Sequence, residues 1–335
     1  MNNELFSLYN RIITNEKIPR EIYLELAYDE GNRIELMYCA YKVKKYFKKD
    51  TVNLCSVFNA KSGSCNQDCA FCSQSAHHTS QITHYPLKNT SELELYATQA
   101  AENLVHNFGI VTSGKALLDS EMDALTHAIE NMSHQATDMT IDASLGTLSL
   151  EQLSLLKKAG LKRYHHNLET SERFFNTICT THTYNDRINT IKRAKKAGLE
   201  VCSGGIFGIG ETWEDRIDLA FLLKELDVEG VPINFLIPVK GTKLEHKELL
   251  PPLESLAIIS LFRLILPDKD IRVCGGRTVV LRDFQSWLFF AGANGMMVGD
   301  YLTTKGRQVA DDLKMLRDLG LSHNTVLDEQ AYARN

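Results

Sequence analysis

Eight short runs of β-branched and apolar residues recur along this chain, separated by longer amphipathic runs. The strand candidates are Val52–Phe58, Phe108–Thr112, Met139–Ala143, Arg163–His166, Val201–Ile206, Ile233–Ile237, Ile271–Cys274 and Met296–Gly299. Helical patterns fall at about Ser91–His106, Ser120–Met132, Ser149–Ala159, Asn185–Ala197, Glu211–Leu226, Leu253–Ile265 and Leu281–Ala291. Ser149 is a start signal, and Gly160 and Gly198 follow their helices as stops. Strands alternating with helices imply parallel pairing through helical crossovers. Eight such units predict an α/β fold, a closed (β/α)8 barrel of the TIM type; an open doubly wound sheet is the alternative. On this reading residues 1–50 form an N-terminal helical extension, a cap or bottom plug. Residues 51–305 form the barrel, and 306–335 a C-terminal helix and polar tail.

Composition narrows the function classes. A chain of 335 residues with 44% hydrophobic and 24% charged residues suits a large core. The formal charge of -5 argues against a nucleic-acid partner. The basic cluster Lys192, Arg193, Lys195, Lys196 reads as a solvated helix face. The first twenty residues lack a long apolar run, and no run is long enough to cross a membrane, so neither export nor membrane insertion is expected. Eight cysteines in such a chain suggest metal or catalytic use in a reducing, cytoplasmic compartment.

The sharpest local signal is Cys65-Asn-Gln-Asp-Cys69-Ala-Phe71-Cys72, just past the first strand candidate. Three thiolates at spacings of four and three can converge on one small cluster. They offer one ligand too few for a closed tetrahedral zinc site or a four-cysteine iron–sulfur site. The missing ligand leaves one iron open. A structural zinc knuckle is the alternative, but no fourth Cys or His follows at finger spacing; His77 and His78 read as exposed loop. The triplet also lies at the C-terminal end of a strand, where barrel enzymes keep their chemistry.

This CxxxCxxC motif, with its aromatic before the last cysteine, resembles the signature of the radical S-adenosylmethionine (SAM) family. There a [4Fe–4S] cluster binds SAM at its open iron and reduces it to a 5′-deoxyadenosyl radical. Within that family the chain is similar to the biotin synthase family. The matching stretches are Asn59–Gly63, Leu145–Leu148, Tyr164–Thr170, Val201–Ile206 with Gly208–Thr212, Val231–Phe235 with Lys240–Thr242, Arg272–Arg277, Ala291–Asn294 and Tyr301–Thr304.

The resemblance implies a sulfurtransferase that inserts sulfur into dethiobiotin, with the sulfur drawn from a second cluster inside the barrel. It implies a reducing donor such as flavodoxin or ferredoxin, and a homodimer. By position, Phe71 belongs to the cluster motif, Asn167 and Glu169 match the pair that meets the SAM ribose, and Ile206 and Ile237 wall the adenine. Asn167 and Asn234 match residues that hold the ureido ring. Thr303 and Thr304 match a turn that binds the substrate carboxylate through peptide N–H groups. His165 stands where the family usually has Asn near that carboxylate, and when protonated it would pair with the acid tail. Gly204 and Gly205 read as bare backbone that lets a ligand come close.

One departure concerns the second cluster. The family's usual set is three cysteines on strands two, three and five plus an arginine on strand seven. Here strand two offers Gly109 and strand three Asp142, leaving only Cys202 and Arg272. Cys55 on strand one and Cys274 on strand seven stand in as candidates. Cys274 lies two residues after Arg272, so both face one side of their strand. Strands one, five and seven are all odd-numbered, and barrel interiors fill in layers drawn from alternate strands. Cys55, Cys202 and Cys274 are therefore expected to share the interior with Asp142 and Arg272. Three thiolates and an open corner suit an auxiliary four-iron cluster better than [2Fe–2S]. The bland reading is that Cys55 and Cys274 are small buried hydrophobes. Cys39 and Cys179 read as ordinary thiols. A related radical SAM enzyme without sulfur insertion, such as a rearranging or cofactor-maturing one, is the functional alternative.

Overall fold

A computed structural model describes residues 3–135 and 139–323. Nine parallel strand segments form one closed sheet. They are β1 (Asn53–Lys61), β2 (Asn107–Thr112), β3 (Thr140–Ser144), β4 (Arg163–His165), β5 (Glu200–Cys202), β6 (Gly205–Phe207), β7 (Gly230–Phe235), β8 (Asp270–Val273) and β9 (Gly295–Met297). β1 pairs with both β2 and β9, and β5 pairs with both β4 and β7, which closes the ring. The expected (β/α)8 barrel is therefore present, with β5 and β6 as two halves of one stave.

That stave was expected to be continuous from Val201 to Ile206. It breaks at Ser203-Gly204 because its neighbour across the ladder is Pro232, which has no N–H to donate. Pairing resumes at Gly205 opposite Ile233. The Gly204 carbonyl, which faces the β4 side, accepts from the peptide N–H of Leu168 and Glu169 at 3.0 and 3.1 Å. The break thus ties the end of β4 to the barrel mouth.

Local sequence fixes where the crossover helices begin. Asn89 with Glu92, Ser149 with Gln152, Thr183 with Asp186 and Thr212 with Asp215 form capping boxes, each satisfying otherwise orphaned N–H groups. The helix Pro252–Ile265 is buried all round from Ser255 to Ile265. A helix apolar on every side needs cover on its outer face. The N-terminal helices supply it: Arg33–Lys48 packs along it, and Tyr23 of the helix Arg20–Tyr28 donates to the carbonyl of Leu264 at 3.3 Å. The extension therefore flanks the barrel rather than plugging its base. At the base, Val52 N–H donates to Ser322 O at 2.8 Å, just beyond the helix Val309–Asp318. The rest of the anticipated C-terminal tail lies outside the described residues.

Candidate active site and inner cysteine cavity

The loop after β1 carries the three cysteines without regular structure of its own, so other contacts hold it. Cys65 N–H donates to Gln74 O at 3.1 Å, Ala76 N–H to Cys65 O at 2.7 Å, and Cys72 N–H to Cys69 O at 3.0 Å. Ala70 N–H docks on Ile178 O at 2.8 Å, at the end of the helix Glu172–Ile178. Asp68 accepts from the N–H groups of Thr180 and Thr181 at 2.9 and 3.2 Å. Burial opposes ionisation of Asp68, but these bonds hold its carboxyl well below the usual range.

Cys65, Cys69, Phe71 and Cys72 line one cavity of about 400 Å³ at the C-terminal mouth of the barrel. Burial pushes the Cys72 thiol up to about 11, with Cys65 and Glu169 adding to the rise. Neutral thiols packed this way gain their charge when a cationic cluster compensates it. The donor set fits a cluster with one open iron: Cys179 touches Cys69 from behind but is not part of the cavity wall.

The same cavity is walled by His165, Asn167, Glu169, Ile206, Asn234, Ile237, Thr303 and Thr304. These come from the ends of β4, β6, β7 and the loop after β9. Asn167 is the hub. Its Oδ1 accepts from His165 Nε2–H at 3.0 Å and Gly204 N–H at 3.1 Å, and its Nδ2 donates to Glu169 Oε2 at 3.3 Å. Glu169 sits in the left-handed region at φ 72°, a conformation that costs a non-glycine residue and recurs at functional sites. Burial raises the Glu169 carboxyl, and Arg187, 3.5 Å away, opposes the rise. Arg187 also donates to Asn167 O at 2.7 Å. Nothing local in the sequence flags Arg187, because it enters from the helix Tyr184–Lys196.

Asn234 Nδ2 donates to Gly205 O at 3.1 Å, and its Oδ1 accepts from Gly275 N–H at 3.0 Å. One N–H and one lone pair of this amide stay available to a ligand. The peptide N–H groups of Thr303 and Thr304 make no hydrogen bond among the described residues, and Ser73 Oγ donates to Thr303 Oγ1 at 3.3 Å. Such a free N–H pair suits an anion.

Two expectations need correction. Burial lowers His165 to about 4, so it stands neutral rather than cationic and donates a hydrogen bond to Asn167 Oδ1. Gly204 and Gly205 do not line the cavity. A Cβ on Gly204 would lie 2.0 Å from Pro232 O, and one on Gly205 2.6 Å from Glu169 O. What approaches their bare backbone is the barrel itself.

Beneath the mouth, a second cavity of about 30 Å³ is lined by Cys55, Cys202, Cys274, Arg272, Asp142, Gly109 and His165, among others. The strand pleat thus brings the three interior cysteines to one place. Arg272 Nη1 lies 4.0 Å from Cys202 Sγ, and Arg163 Nη1 3.5 Å from Asp142 Oδ2. Burial raises Asp142 to about 6 and Cys202 to about 11. Asp142 Oδ1, Arg272 Nε and Ser56 Oγ are buried without a hydrogen-bond partner among the described residues. Orphaned polar groups beside three thiols ask for a polar occupant. Cys39, by contrast, lies in the helix Arg33–Lys48, and burial raises its thiol to about 12.

Comparison with known proteins agrees with this geometry. Residues 61–223 match the Radical SAM superfamily, and residues 232–322 match the Biotin and Thiamin Synthesis associated domain. The chain is 48% identical to the biotin synthase of Endomicrobium trichonymphae over 315 residues, covering 94% of this chain and 97% of that protein. It is 49% identical to that of Heliobacterium modesticaldum over 310 residues, covering 92% and 95%. Among solved structures, a methylornithine synthase superposes with a TM-score of 0.82 at 19% identity, over 97% of this chain and 99% of that one. An FeFe-hydrogenase maturase from Carboxydothermus hydrogenoformans gives 0.80 at 19%, over 96% and 80%, so these two share the fold. Near-full-length identity at this level, together with the three-cysteine loop on a closed barrel, makes the chain a member of the biotin synthase family of radical SAM enzymes.

Proposed function

We propose that this chain converts dethiobiotin to biotin by radical insertion of sulfur. The observation that carries the reading is the stacking of two thiol-lined cavities along one barrel axis, with His165 in the wall of both. Cys65, Cys69 and Cys72 hold a [4Fe–4S] cluster, which when bound supplies the electron that cleaves SAM to a 5′-deoxyadenosyl radical. Asn167 and Glu169 orient the ribose of SAM, and Ile206 and Ile237 flank its adenine. Phe71 closes the cluster side of the cavity. Asn234 and Asn167 offer both donor and acceptor to the cyclic urea of dethiobiotin. The N–H groups of Thr303 and Thr304 take its carboxylate. Neutral His165 fixes the Asn167 amide through the bond it donates, so one orientation of that hub persists across physiological pH. The barrel excludes water from the reacting carbons.

Cys55, Cys202 and Cys274 hold the auxiliary cluster that supplies the sulfur, and a four-iron cluster suits them better than [2Fe–2S]. Three thiols and three polar atoms without a hydrogen-bond partner, on Asp142, Arg272 and Ser56, support this reading. Arg272, beside Cys202 in the wall of this cavity, would balance the charge of a cluster held there. The enzyme works in the cytoplasm as a homodimer and takes electrons from flavodoxin or ferredoxin. These three points rest on the family resemblance. No helix among the described residues is long and apolar enough to cross a membrane.

The test is anaerobic incubation of reconstituted protein with dethiobiotin, SAM and a strong reductant. Biotin and 5′-deoxyadenosine should both form. 5′-Deoxyadenosine without biotin or a thiol intermediate would refute the assignment.

A further inference from the structure

We propose that Cys179 is the redox partner of Cys69: when the site holds no iron, the two thiols close into a disulfide that bars cluster loading until it is reduced. The proposal rests on the reading of Cys69 as an iron ligand.

The two sulfurs lie 3.8 Å apart, though 110 residues separate them in the chain. Both residues are buried, at 9% and 2% exposure. The contact is anchored from both sides. Ala70, next to Cys69, is bonded to Ile178, next to Cys179, and Asp68 is bonded to Thr180 and Thr181. His182 Nδ1 lies 3.2 Å from the Cys179 sulfur and 2.8 Å from Gln67 Oε1, which adds a third tie between the two loops. Cys179 has no place in the cavity wall and none in the reaction above. Bond formation brings the sulfurs about 2 Å closer, to the ~2.05 Å of a disulfide, which is within reach of side-chain rotation.

A hydroperoxide serves as the oxidant. The Cys69 sulfur, which lines the mouth cavity, attacks its terminal oxygen, an S–O bond forms, the O–O bond breaks, and water or an alcohol leaves. The Cys179 sulfur then attacks the sulfenic sulfur, the S–S bond forms, the S–O bond breaks, and hydroxide departs as water with the Cys179 proton. Two thiols lose two electrons and the peroxide gains them. Iron at Cys69 occupies the lone pair that the first step needs, so the lock closes only on the cluster-free protein. Its use is to stop Cys69 from climbing to the irreversible sulfinic and sulfonic acids after cluster loss.

The experiment treats full-length protein, stripped of iron anaerobically by chelation, with hydrogen peroxide. Free thiols are alkylated, the protein is digested without reductant, and the peptides are weighed. The expected product links Cys69 to Cys179, and iron and sulfide reload only after a thiol reductant is added. In a Cys179→Ser variant Cys69 should instead carry sulfinic acid, and reductant should not restore loading. Cys69 bridged to Cys65 or Cys72, or Cys179 still fully alkylated after treatment, would overturn the proposal. Equal bridging in iron-loaded protein would overturn the reading of Cys69 as an iron ligand while leaving the pairing itself intact.

Discussion

The barrel mouth and the barrel interior each gather three cysteines, by opposite means. At the mouth they lie within eight residues of one loop, on a cavity of about 400 Å³ that also holds the polar hub of Asn167 and Glu169. In the interior they come from β1, β5 and the end of β8, around about 30 Å³ crowded by Arg272 and Asp142. A site built on one loop can open to a ligand as large as SAM. A site built on three staves of a closed barrel is small and enclosed, suited to a cofactor that delivers one atom through a shared wall. The proposed division of labour, radical generation at the mouth and sulfur supply inside, would use that difference in construction.

Cysteine substitutions break the comparison most sharply. Cys65→Ala, Cys69→Ala and Cys72→Ala should each reduce 5′-deoxyadenosine production to background. Cys55→Ala, Cys202→Ala and Cys274→Ala should leave SAM cleavage in place yet abolish biotin. Iron and sulfide analysis of Cys69→Ala should still find a cluster in the interior. Colourless protein without bound iron would mean that the inner thiols are only core residues.

A smaller loss is expected at the hub. Asn167→Ala removes the acceptor for His165 and Gly204 and the donor to Glu169. Losing such bonds costs roughly 1–3 kcal/mol, or about 5- to 150-fold in kcat/KM. Arg187→Ala, which acts through the Asn167 carbonyl and Glu169, should cost less than Asn167→Ala. The reverse order in steady-state kinetics would shift the hub from Asn167 to Arg187.

The smallest effect concerns His165, which faces both cavities. Burial lowers it to about 4, so the folded state binds fewer protons than the unfolded one below the ordinary value near 6.5. Its contribution to stability is therefore complete above about pH 6.5 and is lost as pH falls toward 4. Wild type should lose melting temperature over that window faster than His165→Asn. The KM for dethiobiotin should stay flat from about pH 6 to 8. Tighter binding on acidification through pH 6.5 would show a cationic His165 gripping the acid tail.

Much of this was legible in the chain. The mouth triplet is local, so its spacing alone indicates a three-thiolate cage. The interior set was reachable by the pleat: Arg272 and Cys274 are two apart on one strand, and alternate staves share layers. Features that depend on distant pairing were not legible. Cys179 reads as an ordinary thiol until the fold sets it against Cys69. Arg187 carries no motif. The break at Ser203-Gly204 is caused by Pro232, a stave away; Pro232 and Glu169 are the backbone that Gly204 and Gly205 face. The flank position of the N-terminal helices follows from the helix Pro252–Ile265, buried on every side from Ser255 to Ile265, whose need for cover does not name what covers it.

The most direct measurement follows one sulfur atom. Protein reconstituted with iron and sulfide enriched in sulfur-34, freed of excess label, is given dethiobiotin, unlabelled SAM and reductant for a single turnover under anaerobic conditions. Biotin should then carry the heavy isotope in wild type, and no biotin should form when Cys55, Cys202 and Cys274 are replaced together. Biotin of natural isotopic composition from the wild type, or labelled biotin from the triple variant, would contradict an interior cluster as the sulfur source.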